Sequence, residues 1–235
     1  MGATVRKPST ASTPAVLEYM QALRDAGIDV PQPLGLDERG RQVTEFVPGA
    51  IALDRAPLTE AELVRVGGLV RRIHDASAAL RLRRQLGRAL IPAPTAADLI
   101  CHNDLAPWNL VVGDRWVFID WDGAALSTRL WDLAYAAQAF TLSDVSADPT
   151  HSARQLAAFV EGYGADEDLR ASLAAALAER AAAMYEHLQS ASIGGWEPWA
   201  SMFRDGHGVH WAAAAGYARD HRRVWESALQ SHSGR

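Results

Sequence analysis

The alternation of apolar and polar residues over the first fifty positions predicts short strands around one helix. Thr13 and Pro14 are typical of an N-cap and a first helical residue, and Gly27 ends the apolar positions at helical spacing. The predicted elements are a strand over 4–7, a helix over 13–27, and strands over 34–36 and 42–47. The order of elements in this region is therefore strand, helix, hairpin.

From residue 59 onward the spacing of apolar residues is mostly helical. Thr59 and Glu62 form a capping box, which marks the start of the first of these helices. His74 lies near the apolar stripe of this helix, and we interpret it as a core histidine. The predicted helices run from 59 to about 80, over 152–163, from 169 to about 190, near 199, and over 209–229.

Two short apolar runs between residues 110 and 119 predict a hairpin. They flank Gly113 and Asp114, a pair suited to a two-residue turn. In that arrangement Val112 pairs with Arg115, and the two runs form adjacent antiparallel strands.

This register brings two oxygen-bearing side chains together. Asn109 lies opposite Phe118, and Asp120 lies two residues further on the same face, about 7–8 Å away along the diagonal. Carboxylate and amide oxygens are the ligands that Mg²⁺ prefers. We therefore expect a metal site at Asn109 and Asp120, with Asp104 in the preceding loop as an acceptor for a substrate hydroxyl.

These residues resemble the catalytic core of the aminoglycoside phosphotransferase and choline kinase family, relatives of the protein kinases. The matching motifs are His102-x-Asp104 with Asn109 five positions later, Ile119-Asp120-Trp121-Asp122, and Trp131-Asp132-Leu133-Ala134. The resemblance implies that Asp104 is the catalytic base and that Asn109 and Asp120 hold Mg²⁺ bound to ATP. It also implies that His102 and Asp132 brace the catalytic loop.

The resemblance further implies an α+β, protein-kinase-like fold with two lobes. The N-lobe, over 1–48, contains the strand, helix and hairpin, and the larger helical C-lobe covers 49–235. Glu45 and Phe46 would offer backbone groups to adenine at the hinge between the lobes. Because the sequence starts at the strand that carries lysine in this family, we expect a truncated N-lobe without the glycine-rich loop.

Two cations compete for the phosphate-contacting role on the first strand. Alternation places Val5 and Lys7 on one face, as in the lysine strand of the kinases, whereas some relatives carry arginine at the position of Arg6. We favour Lys7 and keep Arg6 as a candidate. Glu18, the nearest carboxylate on the following helix, is not expected to pair with this cation.

Composition narrows the class of protein. The chain has 235 residues, 49% of them hydrophobic, and a formal net charge of −5, which argues against nucleic acid as a partner. No apolar run is long enough to span a membrane, and the N-terminus lacks the apolar core of a signal peptide, so we expect a cytoplasmic protein. Cys101 is interpreted as a small buried residue, with a reactive role beside His102 as the alternative.

The leading hypothesis is an ATP- and Mg²⁺-dependent small-molecule kinase that acts on a hydroxyl of an aminoglycoside-like antibiotic or an amino alcohol, with antibiotic resistance as one outcome. Acidic and aromatic residues of the helical region are candidates for binding the ammonium groups of such an acceptor. They are Asp166, Glu167, Asp168, Glu197, Asp205, Trp196, Trp199 and Trp211.

Two other functions stay open. One is a catalytically impaired, pseudokinase-like protein that binds a ligand or a partner. The other is a metal-dependent phosphohydrolase that uses His102, Asp104 and Asp120. The sequence identifies neither the acceptor nor the oligomeric state.

Overall fold

The computed structural model describes residues 3–230. Contacts divide the chain into two compact units, Met1–Leu58 with Leu69–Asp132, and Thr59–Gly68 with Leu133–Arg235. The lobe boundary predicted between residues 48 and 49 lies inside the first unit. Met1, on which the prediction of a truncated N-lobe rests, lies outside the described residues.

The predicted α+β class is confirmed, since 57% of the structure is helical and small sheets occupy the N-terminal part. The strands are β1 (Thr4–Lys7), β2 (Pro33–Leu36), β3 (Gln42–Glu45), β4 (Ala50–Ile51), β5 (Leu99–Cys101), β6 (Leu110–Val112), β7 (Trp116–Phe118) and β8 (Ala125–Ser127). The α-helices are α1 (Thr13–Asp25), α2 (Glu60–Ala79), α3 (Arg129–Thr141), α4 (Pro149–Tyr163), α5 (Glu167–Gly194), α6 (Trp199–Met202), α7 (Gly208–Asp220) and α8 (Arg222–Gln230).

The strands of the first unit form antiparallel sheets in the orders β1-β3-β2, β4-β6-β7 and β5-β8. Val47, Val111 and Val117 form a buried cluster, against which Ile51 and Ile119 pack. This cluster fixes β6 and β7 to β4, and the chain enters and leaves these strands at Asn109 and Ile119.

The predicted register of this hairpin was wrong by one residue. Val112 pairs with Trp116, and the Gly113 N–H bonds the Arg115 carbonyl, so the loop has three residues. Arg115 forms ion pairs with Asp29 and Glu45, which holds it outside the ladder. Because β6 and β7 are buried on both faces, their side chains do not alternate in polarity and the pattern could not fix the register.

Local signals at the helix starts were mostly correct. The predicted capping box is confirmed, because the Thr59 N–H bonds Glu62 Oε2 at 2.9 Å and the Glu62 N–H bonds Thr59 Oγ1 at 3.3 Å. Thr13 is the first residue of α1 rather than its N-cap, which is Ser12. The single helix predicted over 209–229 is divided into α7 and α8 at His221.

The second unit is a set of packed helices. The first turns of α2 cross the end of α4 closely, since a Cβ at Gly67 would overlap the carbonyl oxygen of Phe159. A Cβ at Gly162 would overlap the carbonyl oxygen of Val64 in the same way. The two backbones therefore touch directly, which only glycine allows at these positions.

None of the helices within residues 3–230 combines the length and the apolar character needed to cross a membrane.

Candidate functional site

The predicted catalytic turn follows β5 directly. Asn103 has a φ of 65°, a left-handed conformation that Asn tolerates better than most residues. His102 is fully buried, and its Nδ1 accepts a hydrogen bond of 3.2 Å from the Asp104 N–H. Its Nε2 therefore carries the hydrogen and donates to the Ile119 carbonyl at 3.1 Å. His102 thus joins the turn that carries Asp104 to the end of the hairpin that precedes Asp120.

Asp104 and Asn109 are in direct contact. The Asn109 Nδ2 donates to Asp104 Oδ2 at 2.7 Å and to the Asp104 carbonyl at 3.0 Å. A single 3₁₀ turn, Pro107–Asn109, places Asn109 immediately before β6. Both hydrogens of the Asn109 amide are donated to Asp104. The amide oxygen, Oδ1, is the atom that a metal would bind, and it takes no part in these two bonds.

A tight turn exposes the second predicted metal ligand. Asp120 has φ 59° and ψ 64°, and a 3₁₀ turn, Trp121–Gly123, follows it. Trp121 is 2% exposed, its Nε1 donates to the Phe118 carbonyl at 2.9 Å, and its ring lies 4.5 Å from that of His102. The buried Trp121 anchors the turn, so the side chains of Asp120 and Asp122 remain about half exposed.

Lys7 contacts both of these carboxylates. Its Nζ lies 2.6 Å from Asp120 Oδ1 and 2.9 Å from Asp122 Oδ2. Burial lowers the pKa of Lys7, but the hydrogen bonds to the two carboxylates outweigh that effect and leave the pKa above its ordinary value. Arg6 instead bonds Thr4 and lies 3.7 Å from Asp37. Of the two candidate cations, the structure brings Lys7 to the predicted site.

Gln42 adds a further oxygen acceptor near the carboxylates that Lys7 contacts. Gln42, which is 4% exposed, donates from Nε2 to Asp122 Oδ1 at 2.8 Å. Among the described residues, no hydrogen-bond partner reaches the buried Gln42 Oε1. Because Gln42 bonds Asp122, its unpartnered oxygen adds an acceptor on a side chain that already contacts one of the carboxylates. Carboxylate and amide oxygens are the donors that a hard ion such as Mg²⁺ takes, so the residues present fit such an ion.

A buried pair of side chains, His74 and Asp132, holds the turn that carries Asp104. His74 Nε2 and Asp132 Oδ2 are 3.0 Å apart, and both side chains are fully buried. Asp132 Oδ1 accepts the Asn103 N–H at 2.8 Å. Asp132 lies where the family resemblance implies a brace, and His74, which we had interpreted as a core residue, is its partner.

Cys101 is buried next to this pair. Its Sγ lies within 4.8 Å of the donor atoms of His74 and Asp132, and it contacts the Thr128 carbonyl at 3.7 Å. Burial, reinforced by the charge of Asp132, raises the pKa of the thiol well above its ordinary value. The sulfur is therefore a neutral thiol near pH 7, which favours the packing role over the reactive one.

The predicted hinge residues lie at the end of β3. The Glu45 carboxylate pairs with Arg115 and accepts the Gln32 N–H at 3.0 Å. The Phe46 N–H donates to the Ala3 carbonyl at 3.0 Å, and the Phe46 side chain is exposed. Their contacts to adenine stay a prediction.

Glu18 is not the partner of Lys7 in this structure. It accepts the Arg83 N–H at 2.6 Å and pairs with Arg84 at 3.1 Å. Arg83 and Arg84 lie in the segment that follows α2, which ends at Ala79.

Several of the predicted acceptor-binding residues have structural roles in the helical unit. Asp166 caps α5 by accepting the Leu169 N–H at 2.9 Å, and Glu197 pairs with Arg204. Trp211 is 3% exposed and stacks on Tyr135 at 5.8 Å, whereas Trp196 is 58% exposed.

The interpretation of His74 as a core histidine is confirmed, since it is fully buried and bonded to Asp132. Nothing local predicts this partner, because Asp132 is 58 residues away. The contact of Asp122 with Lys7 was not predicted, although an acidic residue two positions after Asp120 was a usable signal for it.

Comparisons with known proteins match the part of the chain that contains Asp104, Asn109 and Asp120. Residues 78–176 match the sequence model of the phosphotransferase enzyme family. The trifolitoxin immunity protein of Rhizobium leguminosarum bv. trifolii is 28% identical in an alignment of 174 residues that covers 67% of this chain. The match covers 65% of that relative, so this chain spans less than two thirds of its length.

Solved structures show the same fold at low sequence identity. Amicoumacin kinase, in complex with AMP-PNP, Ca²⁺ and its ligand, has a TM-score of 0.66 at 14% identity, over 94% of this chain and 80% of that one. A choline/ethanolamine kinase family protein from Mesorhizobium loti has a TM-score of 0.62 at 18% identity, over 98% and 87%. A spectinomycin phosphotransferase in complex with ADP and spectinomycin has a TM-score of 0.52 at 14% identity, over 97% and 85%. The predicted kinase-like fold is confirmed by these structures, and the predicted family resemblance is supported over residues 78–176, the part of the chain that the family model matches.

Proposed function

We propose that this chain, as a relative of the phosphotransferase enzyme family, transfers the γ-phosphoryl group of ATP to a hydroxyl of a small molecule. The observation that supports this most is the convergence of four groups within the first compact unit. Asp104 contacts Asn109, and Lys7 contacts Asp120. His102 ties the two turns that carry these pairs. A base, two oxygen ligands and a cation are the parts that phosphoryl transfer requires.

The donor set suggests where Mg²⁺ would bind. Asn109 and Asp120 would hold the ion, with Asp122 and Gln42 next to them. Bound there, Mg²⁺ supplies positive charge that neutralises the phosphate oxygens of ATP. Lys7 already lies against Asp120, so we assign to it the contact with the nucleotide phosphates, rather than to Arg6.

Asp104 would act on the acceptor. It accepts the proton of the acceptor hydroxyl while the oxygen bonds to the γ-phosphorus, and the bond from that phosphorus to the leaving ADP oxygen breaks. The hydrogen bond from Asn109 fixes the Asp104 carboxylate, so that its orientation does not have to be established during the reaction.

For the acceptor we propose an amino sugar or an amino alcohol in the cytoplasm, with antibiotic resistance as one biological outcome. The similar structures include a spectinomycin phosphotransferase and an amicoumacin kinase, and the curated relative is named as an immunity protein. Trp196 offers an exposed aromatic face that an ammonium group could contact.

Phosphate transfer from radiolabelled ATP tests the proposal. We expect Mg²⁺-dependent labelling of one member of a panel of amino sugars, amino alcohols and peptide antibiotics. Removal of Mg²⁺ with EDTA should abolish it, and so should Asp104→Ala. Absence of ATP turnover by the wild type across the whole panel would contradict the proposal.

One observation favours a second function, that of a catalytically impaired protein that binds a ligand or a partner. Lys7 bonds both Asp120 and Asp122, so the protein itself supplies a cation to the carboxylates. Under this alternative, ATP affinity does not depend on Mg²⁺, and an antibiotic or peptide binds without being modified. Calorimetry with each ligand distinguishes the two functions.

A further inference from the structure

Asn103 has more contacts than a turn residue needs. Its side-chain Nδ2 lies 3.1 Å from the Cys101 carbonyl, 3.1 Å from the Gly123 carbonyl and 3.3 Å from the Ala125 carbonyl. All three partners are acceptors, which identifies the donating nitrogen of the amide. Its two hydrogens are shared among the three carbonyls.

These carbonyls belong to segments that must keep a fixed relation to each other. Cys101 ends the strand that leads into the catalytic turn, and Ala125 pairs with it across β5 and β8. Gly123 ends the turn that begins at Asp120. The amide of Asn103 therefore connects the catalytic turn to the turn that carries the predicted metal ligand.

The backbone confirms that these two turns touch. A Cβ built at Gly123 would lie 3.1 Å from the His102 carbonyl oxygen, closer than side chains normally approach. The Asn103 N–H is in turn held by Asp132, and Asp132 by His74. Asn103 is thus fixed through its backbone and links the two turns through its side chain.

We propose that Asn103 is a positioning residue: its amide keeps Asp104 and Asp120 in one relative arrangement for phosphoryl transfer. The role in catalysis rests on the proposed function, whereas the link between the turns does not. The competing explanation is that Asn occupies this position only because it tolerates a φ of 65°.

Asn103→Gly separates the two explanations. Glycine adopts positive φ at least as readily as Asn but removes the amide. Because misplacing reacting groups by about 1 Å can cost about 100-fold in rate, we expect kcat to fall by about 10- to 100-fold. The KM for ATP should change less than kcat, because Lys7 keeps its bonds to Asp120 and Asp122, and Asn109 keeps its bond to Asp104. Wild-type kcat in this variant would overturn the proposal.

Asn103→Asp is the second variant and also serves if the glycine variant does not fold. Asp has nearly the same shape and also tolerates the left-handed region, but its carboxylate cannot donate to the three carbonyls. We expect it to lose at least as much kcat as Asn103→Gly. If it retains wild-type kcat, the amide has no positioning role.

Hydrogen exchange tests the link without any assay of activity. In wild type and Asn103→Gly, exchange is followed in peptides that cover residues 119–127, with α5 as the internal reference. The proposal predicts that residues 119–127 exchange faster in Asn103→Gly than in wild type, whereas the exchange of α5 is the same in both proteins. Unchanged exchange would overturn it. If wild-type protein transfers no phosphate to any acceptor, the proposed function fails, and this measurement still decides whether Asn103 holds the turns.

Discussion

The two compact units are stabilised in different ways. In the first unit the side chains of the candidate site are fixed by directed hydrogen bonds, such as those of His102 to Asp104 and Ile119. In the second unit helices meet through small residues, and at Gly67 and Gly162 their backbones touch. The arrangement of the first unit therefore depends on specific donor and acceptor atoms, whereas the packing of the second unit depends on how closely helix surfaces approach.

This difference explains why the sequence of the first unit indicates more of its chemistry than the sequence of the second unit does. A hydrogen-bonded site requires particular residue types at particular spacings, so it leaves a motif in the sequence. Helix packing requires only small or apolar residues, which many sequences supply. The acceptor, if it binds the helical unit, is therefore the part of the function that the sequence describes least.

The largest effect should come from Asp104→Asn. This change keeps the shape of the side chain but removes the proposed base, so we expect kcat for phosphate transfer to fall by about 10²- to 10⁴-fold. The melting temperature should stay close to that of the wild type, because the surrounding turn is held by His102 and Asp132. A variant with more than a tenth of wild-type kcat would contradict the role of Asp104.

Gly162→Ala tests whether the second unit depends on the close approach of α2 and α4. Its Cβ would overlap the Val64 carbonyl, so α2 and α4 must separate, at a cost of about 3 kcal/mol in the free energy of unfolding. For a chain of this length, that lowers Tm by about 6–12 °C.

Gly68→Ala is the matched control. Its nearest contact to an added Cβ is the Gly162 carbonyl oxygen at 3.5 Å, which is ordinary van der Waals contact. Alanine is favoured over glycine inside a helix by about 0.5–1 kcal/mol, so this variant should be as stable as the wild type or more stable. Equal destabilisation of both variants would contradict the direct backbone contact.

The sequence was sufficient where interactions are local. The strand at Thr4–Lys7 and the capping box at Thr59 depend on neighbouring residues, and the structure has both. It was insufficient where distant segments meet. Gln42 reaches Asp122 across 80 residues, and no pattern near either residue indicates that contact. The hairpin register failed for a third reason, because strands buried on both faces carry no alternation.

Lys7→Met and Arg6→Met sharpen the assignment of the phosphate contact. Hydrogen bonds to charged groups contribute about 1.5–3 kcal/mol, so Lys7→Met should lower kcat/KM for ATP by about 10- to 100-fold. Arg6, which faces Asp37, should be replaceable within about threefold, as expected for an exposed ion pair. Steady-state kinetics with ATP as the varied substrate gives both values. A loss confined to Arg6→Met would reverse the assignment.

The smallest effect concerns a single helix start in each unit. Thr59→Ala removes the hydroxyl that accepts the Glu62 N–H and should cost about 1 kcal/mol in the free energy of unfolding. Ser12 precedes α1 without a side-chain cap bond, so Ser12→Ala should stay within about 0.5 kcal/mol of the wild type. Urea denaturation measures both, and equal effects would contradict the assigned cap at Thr59.

The central claim is that Asn109 and Asp120 form a metal-dependent nucleotide site. Calorimetric titration of ATP into the wild type and Asp120→Asn, each with Mg²⁺ and with EDTA, tests it most directly. We predict that Mg²⁺ strengthens ATP binding by the wild type at least tenfold and that Asp120→Asn removes most of this gain. Equal affinity of the wild type with and without Mg²⁺, or no binding of ATP in either condition, would contradict the claim.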